Sequence, residues 1–140
     1  NYDHYPWSPT EAAFDATAVR AEGMSWLYDF ARKHDKMFSV GEWGIAPGSK
    51  YNDHGENPEF IRWMHEWFSA NAEHIAYEAY FNNCEPKLVE SNLNSPIGPG
   101  CPRQNHKAAR LYRALWGRSD LRDLALPGAD PGGSQTQVLR

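Results

Sequence analysis

The chain has 140 residues, of which 41% are hydrophobic and 14% aromatic, and it carries a net charge of −4. That is enough apolar material for a core, and the acidic balance argues against a nucleic-acid partner. No apolar run approaches membrane-spanning length, so a membrane partner is not expected either.

The chain opens inside what reads as a strand end. Ser8-Pro9-Thr10-Glu11 reads as a capping box with Pro at the first helical position, starting a short helix or ordered loop through about Thr17. Gly23 interrupts it. From Met24 to His34 the spacing predicts a helix, with Met24, Leu27, Phe30 and Ala31 on one face and Asp29, Arg32 and Lys33 on the other. Met37–Glu42 follows as a buried strand, because Phe38 and Val40 favour strand and nothing there favours helix. Pro47-Gly48 and Asp53-His54-Gly55 mark a polar loop. Pro58 sits at the first position of a helix reaching about Glu73, with Phe60, Ile61, Met64, Trp67 and Phe68 as its apolar stripe. His74–Phe81 reads as a third strand. A long segment rich in Pro, Asn, Ser and Gly follows, from Asn82 to Gln104. Asn105–Trp116 is a helix with Ala108, Leu111, Tyr112, Leu115 and Trp116 inward, and Gly117 at its C-cap. Residues 118–140 read as a C-terminal extension, with the composition of a disordered tail from Pro127. Strands alternating with helices are the pattern of β/α units.

The stretch with the most chemical promise is Phe38-Ser39-Val40-Gly41-Glu42-Trp43-Gly44. It places one carboxylate, flanked by glycines and an indole, at a strand end. Ser39-Val40-Gly41-Glu42-Trp43-Gly44 resembles the seventh-strand nucleophile motif of the (β/α)8 glycosidase clan, and most closely that of glycoside hydrolase family 26, the β-mannanase family. Asn1-Tyr2-Asp3-His4-Tyr5-Pro6-Trp7 looks like that family's sixth strand end, and Ala76-Tyr77-Glu78-Ala79-Tyr80-Phe81-Asn82 like its eighth strand. Tyr2, Glu42 and Asn82 fall at an even spacing. The resemblance covers roughly residues 1–117. A whole barrel takes about 250 residues. It therefore implies the C-terminal portion of a (β/α)8 TIM barrel, about strands 6–8 with their helices.

On that resemblance the chain is expected to be part of a retaining β-glycanase, an endo-β-1,4-mannanase-like hydrolase. Glu42 would be the nucleophile and Tyr2 would orient it, with Tyr5 as the competing tyrosine. Trp43, Tyr80, Tyr5, Trp7 and Asn82 would contact the sugar. The acid/base carboxylate, about 5 Å from the nucleophile in such enzymes, would lie upstream, which would leave this stretch inactive alone. The partner would be a polysaccharide, β-mannan or a related β-glycan, with no cofactor, no metal, and a monomeric, secreted parent protein. A non-catalytic carbohydrate-binding barrel, a β-glucanase or β-xylanase, and a structural part of an unrelated α/β enzyme are the alternatives. Plainer roles exist for each residue: Glu42 as a surface carboxylate, Trp43 and Tyr80 as core, Asn82 as a loop cap.

Cys84 and Cys101 are the two cysteines. They form either a disulfide, which an oxidising compartment would permit, or two free thiols. His65-Glu66 lacks the second histidine of a zinc helix, since position 69 is Ser. Asp53, His54 and Glu56 lack calcium-loop spacing. His106, Lys107, Arg110 and Arg113 make a basic stripe, most simply a solvated face.

Overall fold

A computed structural model describes residues 2–4, 9–49, 54–84, 89–93, 101 and 103–117. In chain order these form β1 (Tyr2–His4), α1 (Glu11–Val19), α2 (Met24–Lys33), β2 (Phe38–Trp43), α3 (Pro58–Ala70), a 3-10 turn (Ala72–His74), β3 (Ile75–Tyr80) and α4 (His106–Trp116). The strands make one parallel sheet in the order β1-β2-β3.

Local chemistry accounts for most boundaries. Thr10, in extended conformation, is the N-cap of α1 and its hydroxyl accepts from the Ala13 amide at 3.4 Å. The cap therefore falls two residues beyond Ser8, the position that the sequence favoured. Gly23 separates α1 from α2 for want of space: a Cβ there would stand 2.4 Å from the carbonyl oxygen of Thr17 and 2.5 Å from that of Ala18. Pro58 opens α3, as its fixed φ allows. The first turn of α4 is capped from afar: Glu56 Oε2 accepts from the amides of Lys107 at 2.6 Å and Ala108 at 3.1 Å. A carboxylate there also suits the positive end of the helix dipole.

The core lies between the sheet and its helices. Phe14, Met24, Tyr28, Phe38, Val40, Trp43, Phe60, Ile61, Met64, Phe68 and Ala108 belong to one buried cluster, so all four helices pack on one face of the sheet. Regular alternation would put residues 38, 40 and 42 on that face. A register shift between Val40 and Trp43 breaks the alternation, and Trp43 turns inward in place of Glu42. Tyr77, on the opposite face, remains 55% exposed. In α2 the structure corrects the expected inward face. Phe30 is exposed and stacks on Trp26, because six residues past Met24 is a rotation of about 120° off the buried line. Tyr28 takes the inward place.

The barrel expectation is overturned. The described residues form a small, mostly helical domain with an open sheet, in which β1 and β3 each pair with β2 only. A barrel requires the sheet to close on itself through tilted, staggered strands. Three strands cannot do this, and the chain is not read further as part of a (β/α)8 barrel. The extension at 118–140 lies outside the described residues. No described helix is long and apolar enough to cross a membrane.

The long segment after β3 is tied down by polar groups. Asn105 Nδ2 donates to the carbonyls of Glu90 at 2.7 Å and Asn92 at 2.8 Å, and Asn92 Nδ2 donates to the Arg103 carbonyl at 2.6 Å. Arg103 pairs with the largely buried Glu90 carboxylate at 2.7 Å. The Ser91 hydroxyl donates to the Phe81 carbonyl and accepts from the Asn83 amide at 3.1 Å. Cys84 and Cys101 are bridged, 17 residues apart, with a Cα separation of 5.1 Å. In the chain-entropy account a loop of this size contributes at most about 3 kcal/mol. Thiol titration of denatured, unreduced protein is expected to find no free thiol, and reduction should lower the unfolding midpoint. Two reactive thiols would mean that the segment is held by its hydrogen bonds alone.

Candidate binding cleft

Beyond the carboxyl end of β3 the chain meets the side of α4. The space between them is a cleft of about 320 Å³, lined by Tyr80, Asn82, Leu93, Ala109, Tyr112 and Arg113. In open parallel α/β sheets, ligands bind outside the carboxyl ends of the strands. Two other clefts lie between helices. One is lined by Glu11, Phe14, Asp15, Trp63, Glu66 and Trp67, and the other by Pro58, Glu59, Arg62, Lys107, Arg110, Leu111 and Ala114.

Each side chain of the β3–α4 cleft is set by its element. Tyr80 is the last residue of β3, and its hydroxyl donates to the Ser91 carbonyl at 2.8 Å. Burial pushes this phenol well above its ordinary pKa, so it stays protonated. Asn82 is exposed, and its Oδ1 accepts from the Leu93 amide at 2.8 Å. That bond fixes the amide plane and leaves the NH2 as the end that can turn to a ligand. Tyr112 stacks on Trp116 with ring centroids 4.6 Å apart and meets Tyr80 edge-on at 5.3 Å. Its pKa is pushed up to about 12, by burial first and then by the Glu78 carboxylate. Arg113, one residue on, is exposed, and its Nε lies 3.4 Å from the Ala109 carbonyl.

Of the residues expected at a sugar site, Tyr80 and Asn82 line this cleft. Trp43 is fully buried, ringed by Phe60, Phe68, Tyr80, Tyr112 and Trp116, so it offers no face to a ligand. Its indole N–H donates to Glu78, which also accepts from the Trp116 indole at 2.9 Å. Glu42 is half-buried on β2 and lines none of the three clefts. Tyr2, on β1, has its Cα opposite Val40 of β2, while its side chain and the whole of Tyr5 and Trp7 lie outside the described residues. Tyr112, Leu93 and Arg113 were missed as site residues. Helical spacing places Tyr112 inward and Arg113 in a solvated stripe, and only their meeting with the end of β3 makes a cleft of them.

A comparison with family models finds no match to this chain, and neither do comparisons with curated proteins and with solved structures. The resemblance to glycoside hydrolase family 26 is therefore not upheld, and the mannanase reading falls with it. The chemistry points the same way. Retaining hydrolysis needs two carboxylates about 5 Å apart across a cleft. Among the described residues no group of three or more His, Cys, Asp or Glu side chains gathers that could hold a metal ion. Glu78, the carboxylate on the strand beside Glu42, is committed to two indole N–H groups. Among the described residues neither a barrel scaffold nor an acid/base pair is present, which overturns the expectation of a glycosidase or other hydrolase.

Proposed function

We propose that this domain recognises a polysaccharide without cleaving it, holding one sugar unit in the cleft between β3 and α4. The observation that carries this reading is the union of two tyrosine rings with an amide of fixed orientation in one concavity. A sugar ring presents an apolar C–H face to aromatic carbon and a rim of hydroxyls to polar groups. At about 320 Å³ the cleft is at the small end of ligand sites, which span roughly 300–1,000 Å³. The cystine fits an oxidising compartment, where polysaccharides of walls and matrices are met, and supports a secreted location.

Affinity electrophoresis through gels cast with different soluble polysaccharides tests this reading. At least one should retard the protein, and Tyr112→Ala and Asn82→Ala should each weaken retardation about tenfold, or about 1.4 kcal/mol. Far-UV circular dichroism separates lost binding from lost folding; Asn82 is exposed, so that variant should fold normally. Wild-type mobility in every gel would end the proposal.

A further inference from the structure

We infer that the sugar held in the β3–α4 cleft is acidic, a hexuronate whose carboxylate is met by Arg113. This rests on the polysaccharide reading above and narrows it to one chemical class. The lining is one-sided in its hydrogen bonding. Arg113 supplies guanidinium N–H groups, Asn82 an NH2, and Tyr112 a hydroxyl, whereas among the described residues no Asp or Glu lines the cleft. Every hydroxyl of a neutral sugar brings an O–H donor that needs an acceptor, and protein carboxylates are strong acceptors for it. A carboxylate-bearing sugar instead needs donors.

The arginine of the cleft is also left without a carboxylate partner among the described residues, as is Arg110 outside the cleft. Arg32, Arg62 and Arg103 are each ion-paired, with Asp29, Glu59 and Glu90. Arg113 enters no ion pair among the described residues, and its one hydrogen bond there uses Nε, at 3.4 Å from the Ala109 carbonyl. Its two terminal nitrogens are thus left for a ligand. A planar guanidinium grips a planar carboxylate through two parallel bonds, which fixes orientation as well as charge. Burial keeps the Tyr112 hydroxyl protonated through the neutral range, so it remains a donor beside that carboxylate.

Titration calorimetry of the whole chain with three polymers tests the inference: a polyuronate, the same polymer fully methyl-esterified, and neutral mannan. The polyuronate should bind at least about tenfold more tightly than its ester and than mannan. Arg113→Gln should weaken polyuronate binding by about that factor and leave the ester unchanged, and Arg113→Lys should recover only part of the loss. Arg113 is exposed, so neither variant should disturb folding. A sulfated neutral glycan is a fourth arm. Binding of it as tight as that of the polyuronate would overturn the carboxylate assignment. Equal binding of acid and ester, or indifference to Arg113→Gln, would overturn the inference while leaving polysaccharide recognition standing. Failure of every polymer would remove both.

Discussion

Trp43→Ala is expected to abolish stable folding of this domain. The side chain has no exposed surface and touches five aromatic rings, with Tyr80 at 5.0 Å and Trp116 at 5.4 Å between ring centroids. Removing a buried tryptophan costs about 3–5 kcal/mol through lost burial and the cavity left behind. Its N–H also satisfies Glu78, which then keeps only the Trp116 indole as an indole donor. A half-buried carboxylate losing a donor adds about 1 kcal/mol or more. Against a total stability of about 5–15 kcal/mol for an ordinary domain, a loss of about 4–6 kcal/mol removes most of what a domain at the lower end of that range has. Urea unfolding followed by far-UV circular dichroism should show a midpoint near zero denaturant or no cooperative transition. Trp43→Phe keeps much of the ring and loses the N–H, so it should fall between. An alanine variant with a wild-type midpoint would mean that the core is not organised around β2.

Acid should destabilise the domain through His4 before most carboxylates titrate. His4 is buried on β1 between Phe14 and Phe60, with ring centroids 5.6 and 5.7 Å away. Burial, and then the positive charge of Arg20, lower its pKa from 6.5 to about 4. The native ring is therefore neutral where the unfolded ring takes up a proton. Its contribution to stability is complete above pH 6.5 and is lost as the pH falls from 6.5 towards 4. The full shift corresponds to about 3 kcal/mol. Urea midpoints measured between pH 7.5 and 4.5 should fall steadily. The same series on His4→Phe, which fills the space with a ring that cannot be protonated, should be much flatter over pH 6.5–5. Parallel curves for the two proteins would rule His4 out as the source of the slope.

These expectations rest on features that the sequence exposes unequally. The strands near residues 38 and 75 and the helices after Pro58 and Asn105 follow from short-range physics: β-branched and aromatic runs, apolar spacing, and proline or glycine at the ends. The stripe Phe60, Ile61, Met64, Phe68 could be read directly because helical period and burial agree there. Phe30 departs from the inward face that the sequence suggests, because its spacing is only partly helical and a helix of ten residues needs only part of its circumference for the core.

The site was less legible, for reasons that lie in pairing. Regular alternation from Phe38 and Val40 would turn Trp43 away from the core, to a face where an indole could serve as a sugar platform. A register shift between Val40 and Trp43, which depends on how β2 meets β3, turns the indole into the core instead. Glu78 is an ordinary strand carboxylate in the sequence, and only the approach of β2 and α4 gives it two indole donors from residues 35 and 38 positions away. The cleft joins Tyr80 and Asn82 to Tyr112 and Arg113 across the intervening segment. What the sequence by itself determined is the set of local elements and the acidic, non-spanning character of the chain. Propensity, capping and apolar spacing act over a few residues. Tertiary structure alone decided the open sheet, the inward tryptophan and the donor-lined cleft, because strand register and helix docking bring together groups whose distance along the chain carries no trace of their contact.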